Sequence, residues 1–264
     1  PRSGAKLGPA TWILTTTTET VASQTKRQNG ILFRTDSWLV STLHVDASEL
    51  GLANLTWESS CVGTSCTLTD NLINSTVPFP LRRISIASPD AGKSELLGTK
   101  HGITLIQQLD EQGEFDPNSL GAWMQHSFFA TEAFDGAGLK GSLGIAGGDL
   151  TRSRPRGNAT WYGLMVGTAI GDNELLQGDA TLMYSLDDQR LDASFTDIQN
   201  LDSEPHSVTS VDFTDVPVDA RGEFKTGSTG NRIQGGFYGP DHAETAGTFE
   251  KSNIVGAFGA KREE

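Results

Sequence analysis

The chain closes with the stretches Gly235-Gly-Phe-Tyr-Gly-Pro240 and Val255-Gly-Ala-Phe-Gly-Ala-Lys-Arg262, in which glycines interrupt apolar, aromatic, strand-like runs. Glycine weakens the interior of a strand unless the strand must bend sharply or approach another backbone. The corners of a small closed barrel require such bends. The two stretches therefore predict the closing strands of a small antiparallel barrel, a fold that leaves no free sheet edge.

Working outward from this end, the sequence contains eight strand-like runs separated by turns rich in Gly, Asp and Asn. The runs are Ala159–Gly167, Gln177–Leu186, Arg190–Asn200, Val208–Asp215, Gly222–Thr226, Arg232–Tyr238, Thr245–Glu250 and Ile254–Ala260. Short connections make consecutive strands neighbours, so the runs predict an up-and-down meander of eight strands.

Alternation of side chains within these runs predicts which residues face the barrel interior. In one run, Ala180, Leu182, Tyr184 and Leu186 face one way, and Thr181, Met183 and Ser185 face the other. The same period predicts that only one of Trp161 and Tyr162, and only one of Phe237 and Tyr238, points inward. In the third run, Ile198 breaks the alternation set by Leu191, Ala193 and Phe195, which predicts a β-bulge.

The upstream part of the chain is also rich in strand-like runs, one of which is predicted over Gly121–Phe129. Six glycines between residues 135 and 157 predict a loop, and this loop is the best candidate for a domain boundary. The predicted fold is thus all-β, with a strand-rich, handle-like domain over residues 1–147 and an eight-stranded barrel over residues 148–264.

The order of motifs in the barrel resembles that of the transferrin-binding protein B-like family. The resemblance rests on Gly157-Asn-Ala-Thr-Trp-Tyr-Gly163 as the opening strand, and on Phe237–Pro240, Ala243-Glu244, Gly247–Phe249 and Gly256–Arg262 as closing strands. It covers about residues 150 to 262, and the chain has room for a single handle–barrel lobe.

The resemblance implies a surface lipoprotein of a Gram-negative bacterium that binds a host or environmental macromolecule, either a protein or a glycan, without catalysis. It implies a location at the outer membrane, on the cell surface, or as a secreted protein. If the parent is a lipoprotein, its lipidated cysteine lies upstream of Pro1. The alternative within the same family is a haem-binding carrier. The shared motifs are structural, so they identify no binding residue.

The charge of the chain narrows the class of partner. The net charge is −13, and residues from Gly148 onward hold 19 acidic and 10 basic residues against 14 and 10 before it. An acidic surface repels phosphate backbones, which argues against nucleic acid and is compatible with a basic partner protein. No run of about 18 apolar residues is present, so we expect contact with a membrane only through an upstream lipid anchor.

The only two cysteines lie close together, at Cys61 and Cys66 in Cys-Val-Gly-Thr-Ser-Cys. Four intervening residues, one of them glycine, suit a disulfide across a hairpin tip, and free thiols are the alternative. A disulfide implies an oxidising compartment. No further Cys or His lies near enough in sequence to suggest a zinc site.

No pattern in the sequence predicts a catalytic or metal site. The five histidines, His44, His101, His126, His206 and His242, lack metal-ligand spacing, and any of them is a candidate haem ligand. Asp187-Asp188 is interpreted as a hairpin tip, because adjacent strand residues point to opposite faces. Leu175-Leu176 either begins a strand or presents apolar side chains to a partner. We expect no enzyme activity and no cofactor, with haem as the alternative.

Overall fold

Nineteen β-strands and one short 3-10 turn form the regular structure of the residues described by the computed structural model. The backbone is described for residues 10–14, 20–23, 38–46, 55–62, 65–70, 82–86, 96–109, 115–136, 139–148, 150–228 and 230–263. Side chains are described for residues 40, 42, 98–107, 118–133, 141–148, 150–228 and 230–263. Within these ranges, no helix has the length and apolar character needed to cross a membrane.

The first eleven strands form one antiparallel sheet with the order β2-β1-β6-β8-β9-β10-β11-β3-β4-β5, to which β7 adds by pairing with β8. Their bounds are β1 Ala10–Leu14, β2 Thr20–Ser23, β3 Trp38–Asp46, β4 Leu55–Val62, β5 Ser65–Asp70, β6 Arg82–Ile86, β7 Leu96–Lys100, β8 Ile103–Leu109, β9 Phe115–Trp123, β10 Ser127–Gly136 and β11 Leu139–Gly148.

The last eight strands form a second antiparallel sheet with the order β15-β14-β13-β12-β19-β18-β17-β16. Their bounds are β12 Ala159–Ala169, β13 Leu175–Ser185, β14 Arg190–Asn200, β15 Val211–Pro217, β16 Glu223–Ser228, β17 Asn231–Tyr238, β18 Glu244–Lys251 and β19 Ile254–Arg262. The 3-10 turn is Pro240–His242. The predicted all-β fold, with a strand-rich region followed by an eight-stranded up-and-down barrel, is confirmed.

The barrel is nearly closed, with its seam between β15 and β16. β12 and β19, the first and last strands of the barrel, are paired from Trp161 opposite Arg262 to Ala169 opposite Ile254. At the seam, a single bridge joins Val218 to Phe224. The predicted bulge in β14 is confirmed, because the register against β13 shifts between Gln177 and Asp179 and the backbone of Asp197 has a positive φ of 52°.

Two sequence predictions upstream of the barrel are wrong. Gly121–Phe129 is two strands, because a turn closed by the bond from Met124 N to Ser127 O, 2.8 Å long, separates β9 from β10. Four of the six glycines in the stretch predicted as a loop belong to β11, which pairs with both β10 and β3. The two sheets still divide between Gly148 and Ala159, and the assignment of residues 1–147 and 148–264 as two domains stays a prediction.

Gly144 of β11 and Gly259 of β19 allow close packing between the two sheets. A Cβ atom added to Gly144 would lie 2.2 Å from the carbonyl oxygen of Gly256 in β19, and a Cβ on Gly259 would lie 2.3 Å from the Phe129 ring. Backbones can approach this closely only where no side chain intervenes. The first sheet therefore packs directly on the part of the barrel wall formed by β18, β19 and β12 from Leu164 onward, which we call the covered face.

Polar groups are matched across the covered face. Glu244 accepts hydrogen bonds from the backbone N–H groups of Gln125 (2.8 Å) and His126 (2.9 Å), and from Ser127 Oγ (2.8 Å). Thr42 and Thr248 are joined through their hydroxyls at 2.9 Å. Within the barrel wall, Arg232 of β17 and Glu250 of β18 are cross-strand partners and form a buried ion pair, Nε to Oε2 3.0 Å. Buried polar groups must be paired to be tolerated, so the contacts that Glu244 and Thr248 make with the first sheet fix how that sheet sits on the barrel.

Candidate binding surface

The barrel interior is filled by aromatic side chains. Trp161 packs on Phe237 with ring centroids 4.9 Å apart, and Phe195 lies 4.6 Å from Phe249 and 5.1 Å from Phe258. Because these rings are in contact, the interior of the barrel is a packed hydrophobic core. A ligand of this barrel is therefore expected on its surface and not inside it.

Alternation assigns the inward and outward residues as predicted. Trp161 is fully buried inside the barrel, and its Nε1 donates to the carbonyl oxygen of His242 at 2.7 Å. Its neighbour Tyr162 points outward and is 37% exposed. Phe237 also points inward, whereas Tyr238 is buried on the other side of the wall, in the core beneath the first sheet.

The first sheet leaves exposed the outer surface of β13–β15 and of the first four residues of β12, and we call this surface the outer face. Two rows of cross-strand neighbours run across it. One row is Thr160, Met183 and Asp192, and the other is Tyr162, Thr181, Ser194 and Asp212. Neighbours in a row have side chains close enough to form one continuous surface.

Exposed apolar side chains stand on this outer face. Met183 is 49% exposed and Tyr162 is 37% exposed, and Leu186, 40% exposed, follows at the adjoining hairpin tip. Large exposed apolar groups with polar neighbours are typical of protein interaction sites, where aromatic residues and methionine are enriched. The predicted placement of Met183 on the face opposite Leu182 and Tyr184 is confirmed. The prediction that Leu186 shares the face of Leu182 and Tyr184 is wrong, because β13 ends at Ser185 and Leu186 lies in the turn.

Carboxylates surround these apolar groups. A depression of about 300 Å³ is lined by Met183 and Tyr184 together with Asp188, Asp192 and Asp215, and Arg190 also lines it. Asp192 Oδ1 accepts from the Asp215 backbone N–H at 2.8 Å, and Asp212 Oδ1 accepts from Ser194 Oγ at 2.5 Å. The carboxylates of Asp192 and Asp212 are thus held in place by the strands.

Burial raises the pKa of the Tyr184 hydroxyl, while the nearby Arg154 guanidinium opposes the rise.

The rim of the outer face is formed by the turn between β7 and β8. Lys100 Nζ donates to Asp179 Oδ2 at 2.6 Å, and His101 Nε2 lies 3.8 Å from the other oxygen of the same carboxylate. The His101 ring stacks with the Tyr162 ring at a centroid distance of 6.2 Å. This turn therefore brings side chains of the first sheet to the edge of the outer face.

Each of the described histidines makes different contacts. His206 Nδ1 accepts from the Val208 backbone N–H at 3.1 Å, and His242 Nε2 lies 2.9 Å from the carbonyl oxygen of Ser153. His126 packs against Gly239, and the side chain of His44 lies outside the described residues. No group of three or more His, Cys, Asp or Glu side chains able to hold a metal occurs among the residues searched, which are those described.

Two further residue pairs noted in the sequence lie at opposite ends of β13. Asp187 and Asp188 occupy the turn between β13 and β14, where Asp188 Oδ2 accepts from Ser185 Oγ at 2.8 Å, as a hairpin tip requires. Leu175 and Leu176 begin β13 and are buried, so the strand interpretation is confirmed.

The strand register places Cys61 of β4 directly opposite Cys66 of β5, in the hairpin that the spacing predicted. Their side chains lie outside the described residues. The disulfide therefore stays a prediction.

Comparison with known proteins gives similarity at the level of fold. No protein-family model matches the chain, and no curated protein matches it. Solved structures that resemble it include a transferrin-binding protein B mutant from Haemophilus parasuis, at 16% identity and TM-score 0.40 over 80% of this chain and 51% of that one. Another is transferrin-binding protein B from Neisseria meningitidis, at 14% identity and TM-score 0.39 over 100% of this chain and 45% of that one.

A single lobe is matched over nearly its whole length. The N-lobe of lactoferrin-binding protein B from Moraxella bovis aligns at 15% identity and TM-score 0.33, over 86% of this chain and 99% of that one. The chain spans about half the length of the two transferrin-binding protein B chains above. Similarity this distant assigns no partner to the chain. The matched structures include transferrin-binding protein B, the protein after which the resembled family is named.

Proposed function

We propose that this chain is a non-enzymatic binding protein of a Gram-negative cell surface, and that it binds a basic protein through the outer face. The observation that carries the proposal is the exposure of Met183 and Tyr162 among the carboxylates of Asp188, Asp192 and Asp215. Large apolar groups supply the anchoring contacts of an interface, and fixed charges around them select the partner and steer its approach.

The net charge of the whole chain favours the same class of partner. A charge of −13 attracts basic proteins over distances of about one Debye length and repels acidic ones. The filled interior of the barrel supports binding at the surface in place of enclosure of a small molecule. The bacterial surface location and the lipid anchor follow from the resemblance of the closing strands.

A capture experiment with fractionated host serum tests this proposal. The immobilised full chain is presented with serum proteins that bind a cation-exchange resin and, separately, with those that do not. We expect capture from the basic fraction, with association that slows as salt concentration rises. Met183→Asp should abolish capture, whereas Ala220→Asp, at an exposed turn position outside the outer face, should preserve it.

Capture that is equal for both variants, or that comes only from the acidic fraction, would contradict the proposal. Circular dichroism of both variants checks that each retains the β-rich fold. The contrast between Met183→Asp and Ala220→Asp separates loss of a specific contact from the effect of adding one negative charge.

A haem carrier is the second candidate, and the observation that favours it is the exposed ring of His101 beside Tyr162. Histidine and tyrosine are both axial ligands of haem iron in proteins. Titration with haemin should then produce a Soret shift that disappears in His101→Ala and survives in His206→Ala. No shift in the native chain would remove this candidate.

A further inference from the structure

A crevice lies where the first sheet meets the barrel, above the rim of the outer face. It has a volume of about 250 Å³ and is bounded by residues 98–100 of β7 on one side and by β13 and β14 on the other. Leu105 and Leu164, both buried, line it from the two sheets. We call it the junction crevice. It is smaller than the roughly 300–1,000 Å³ of sites for drug-sized molecules, so it fits one compact unit of a ligand.

The polar side chains of the junction crevice have hydrogen-bonding capacity to spare. Gln177 and Gln199 are cross-strand partners, and both line the crevice together with Asp197 and Ser203. Within the described part of the chain, the side chains of these four residues make no hydrogen bond to the protein. They contrast with the carboxylate of Glu244, which is fully engaged by three donors.

The charge of the junction crevice is small. Lys100 and Asp179, on its rim, neutralise each other through a contact of 2.6 Å. Asp197 remains as one exposed carboxylate, which opposes an anionic ligand. The remaining groups are the amides of Gln177 and Gln199 and the hydroxyls of Ser203 and Thr99, of which the last is bonded to Thr104. Each can donate and accept hydrogen bonds without charge.

We propose that the junction crevice binds an uncharged, polyhydroxylated unit, namely one sugar residue of a glycan. Each sugar hydroxyl donates and accepts, which matches the amides of Gln177 and Gln199 and the acceptor oxygens of Asp197. The apolar C–H surface of the ring packs on Leu105 and Leu164, as pockets with an apolar lining and a few oriented polar groups require. This site is separate from the protein-binding outer face and does not depend on it.

Nuclear magnetic resonance of the ¹⁵N-labelled full chain tests the assignment. The probes are the methyl glycosides of glucose, galactose, mannose and N-acetylglucosamine, titrated one at a time. At least one of them should shift the side-chain amide signals of Gln177 and Gln199 in a saturable manner. Gln199→Ala should weaken that binding about tenfold, as expected from the loss of one hydrogen bond. The matched control Gln125→Ala, at an exposed turn, should leave it unchanged.

Met183→Asp separates this proposal from the proposed function, because it should abolish protein capture and leave the glycoside titration intact. The assignment is overturned if none of the four glycosides shifts the two amide signals, or if Gln199→Ala binds as tightly as the native chain. It is also overturned if lysine amide shifts these signals and the glycosides do not, since the crevice would then receive a basic side chain.

Discussion

The covered face and the outer face belong to the same barrel wall, yet they are built from different residues. The covered face has glycines at Gly256 and Gly259, which the backbone of Gly144 and the ring of Phe129 in the first sheet approach closely, and its Glu244 accepts three hydrogen bonds from that sheet. The outer face has hydroxyls, carboxylates, Tyr162 and Met183 at equivalent outward positions. The comparison shows that strand pairing determines the shape of the barrel. The residues that point outward determine which side of the barrel the first sheet covers and which side stays exposed to a partner.

The largest effect on stability is expected at Trp161, which points to the inside of the barrel wall, in comparison with its neighbour Tyr162, which points to the outside. Trp161→Ala should lower the free energy of unfolding by about 3–5 kcal/mol, because it empties part of the core and removes the bond to His242. Tyr162→Ala, on the outer face, should cost less than about 1 kcal/mol. Urea unfolding followed by fluorescence measures both. Similar losses at the two positions would contradict the inward and outward assignment.

The second-largest effect on stability is expected from adding a methyl group on the first sheet where it meets the covered face. Gly144→Ala should destabilise the chain by about 3 kcal/mol, because its Cβ would lie 2.2 Å from the Gly256 carbonyl oxygen and backbone cannot move aside cheaply. Gly157→Ala is the matched control, since nothing lies within 4 Å of a Cβ there, and it should change stability by less than about 0.5 kcal/mol. If thermal unfolding shows Gly144→Ala to be neutral, the two sheets do not pack this closely.

The carboxylate that anchors the turn between β9 and β10 gives a smaller effect. Glu244→Gln should cost about 2 kcal/mol, because the amide offers one acceptor oxygen to three donors and turns its own donor toward them. Glu263→Gln, exposed near the end of the chain, makes the same chemical change outside the covered face. Equal unfolding midpoints for the two variants in urea would show that Glu244 does not hold the first sheet.

The smallest effect concerns Glu223, beside the seam. Burial raises the pKa of Glu223, with Asp219 adding to the rise and Arg221 and Arg152 opposing it. The folded chain thus holds this proton more tightly than the unfolded chain, so stability falls as pH rises above the ordinary value of 4.5. Glu223→Gln should gain less than about 1 kcal/mol at about pH 7 after solvent screening, and nothing at about pH 4. Urea titrations at both pH values measure the difference, and a larger gain at the lower pH would reverse the sign.

The sequence predicts the barrel well because its signals are local. Alternation and turn residues act over a few positions, so the eight strands, the bulge near Ile198 and the rule that only one of Trp161 and Tyr162 points inward follow from the chain alone. Gly144 of β11 could not be interpreted correctly, for the opposite reason. Glycine is needed there because of the backbone of Gly256 in the other sheet, more than one hundred residues away along the chain. In the sequence, glycine in a loop and glycine in a tight contact look alike.

The candidate surfaces were less predictable. The outward position of Met183 follows from alternation, but its exposure depends on which side of the barrel the first sheet covers. The crevice residues Gln177 and Gln199 meet only because β13 and β14 pair in a particular register. Asp215 joins the outer face through a backbone with a positive φ of 56°, which no alternation pattern foretells.

The arrangement of strands around the barrel also determines where the barrel is weakest. Its two ends in sequence are joined by the long ladder between β12 and β19, whereas β15 and β16, in the middle of the sequence, meet through one bridge. Breaking the chain within the turn at residues 219–222 would therefore cut no ladder, and linking Arg262 to Asn158 would connect neighbouring strand ends. The barrel is accordingly suited to circular permutation at its seam, and local opening should begin there, where amide hydrogens should exchange with solvent soonest.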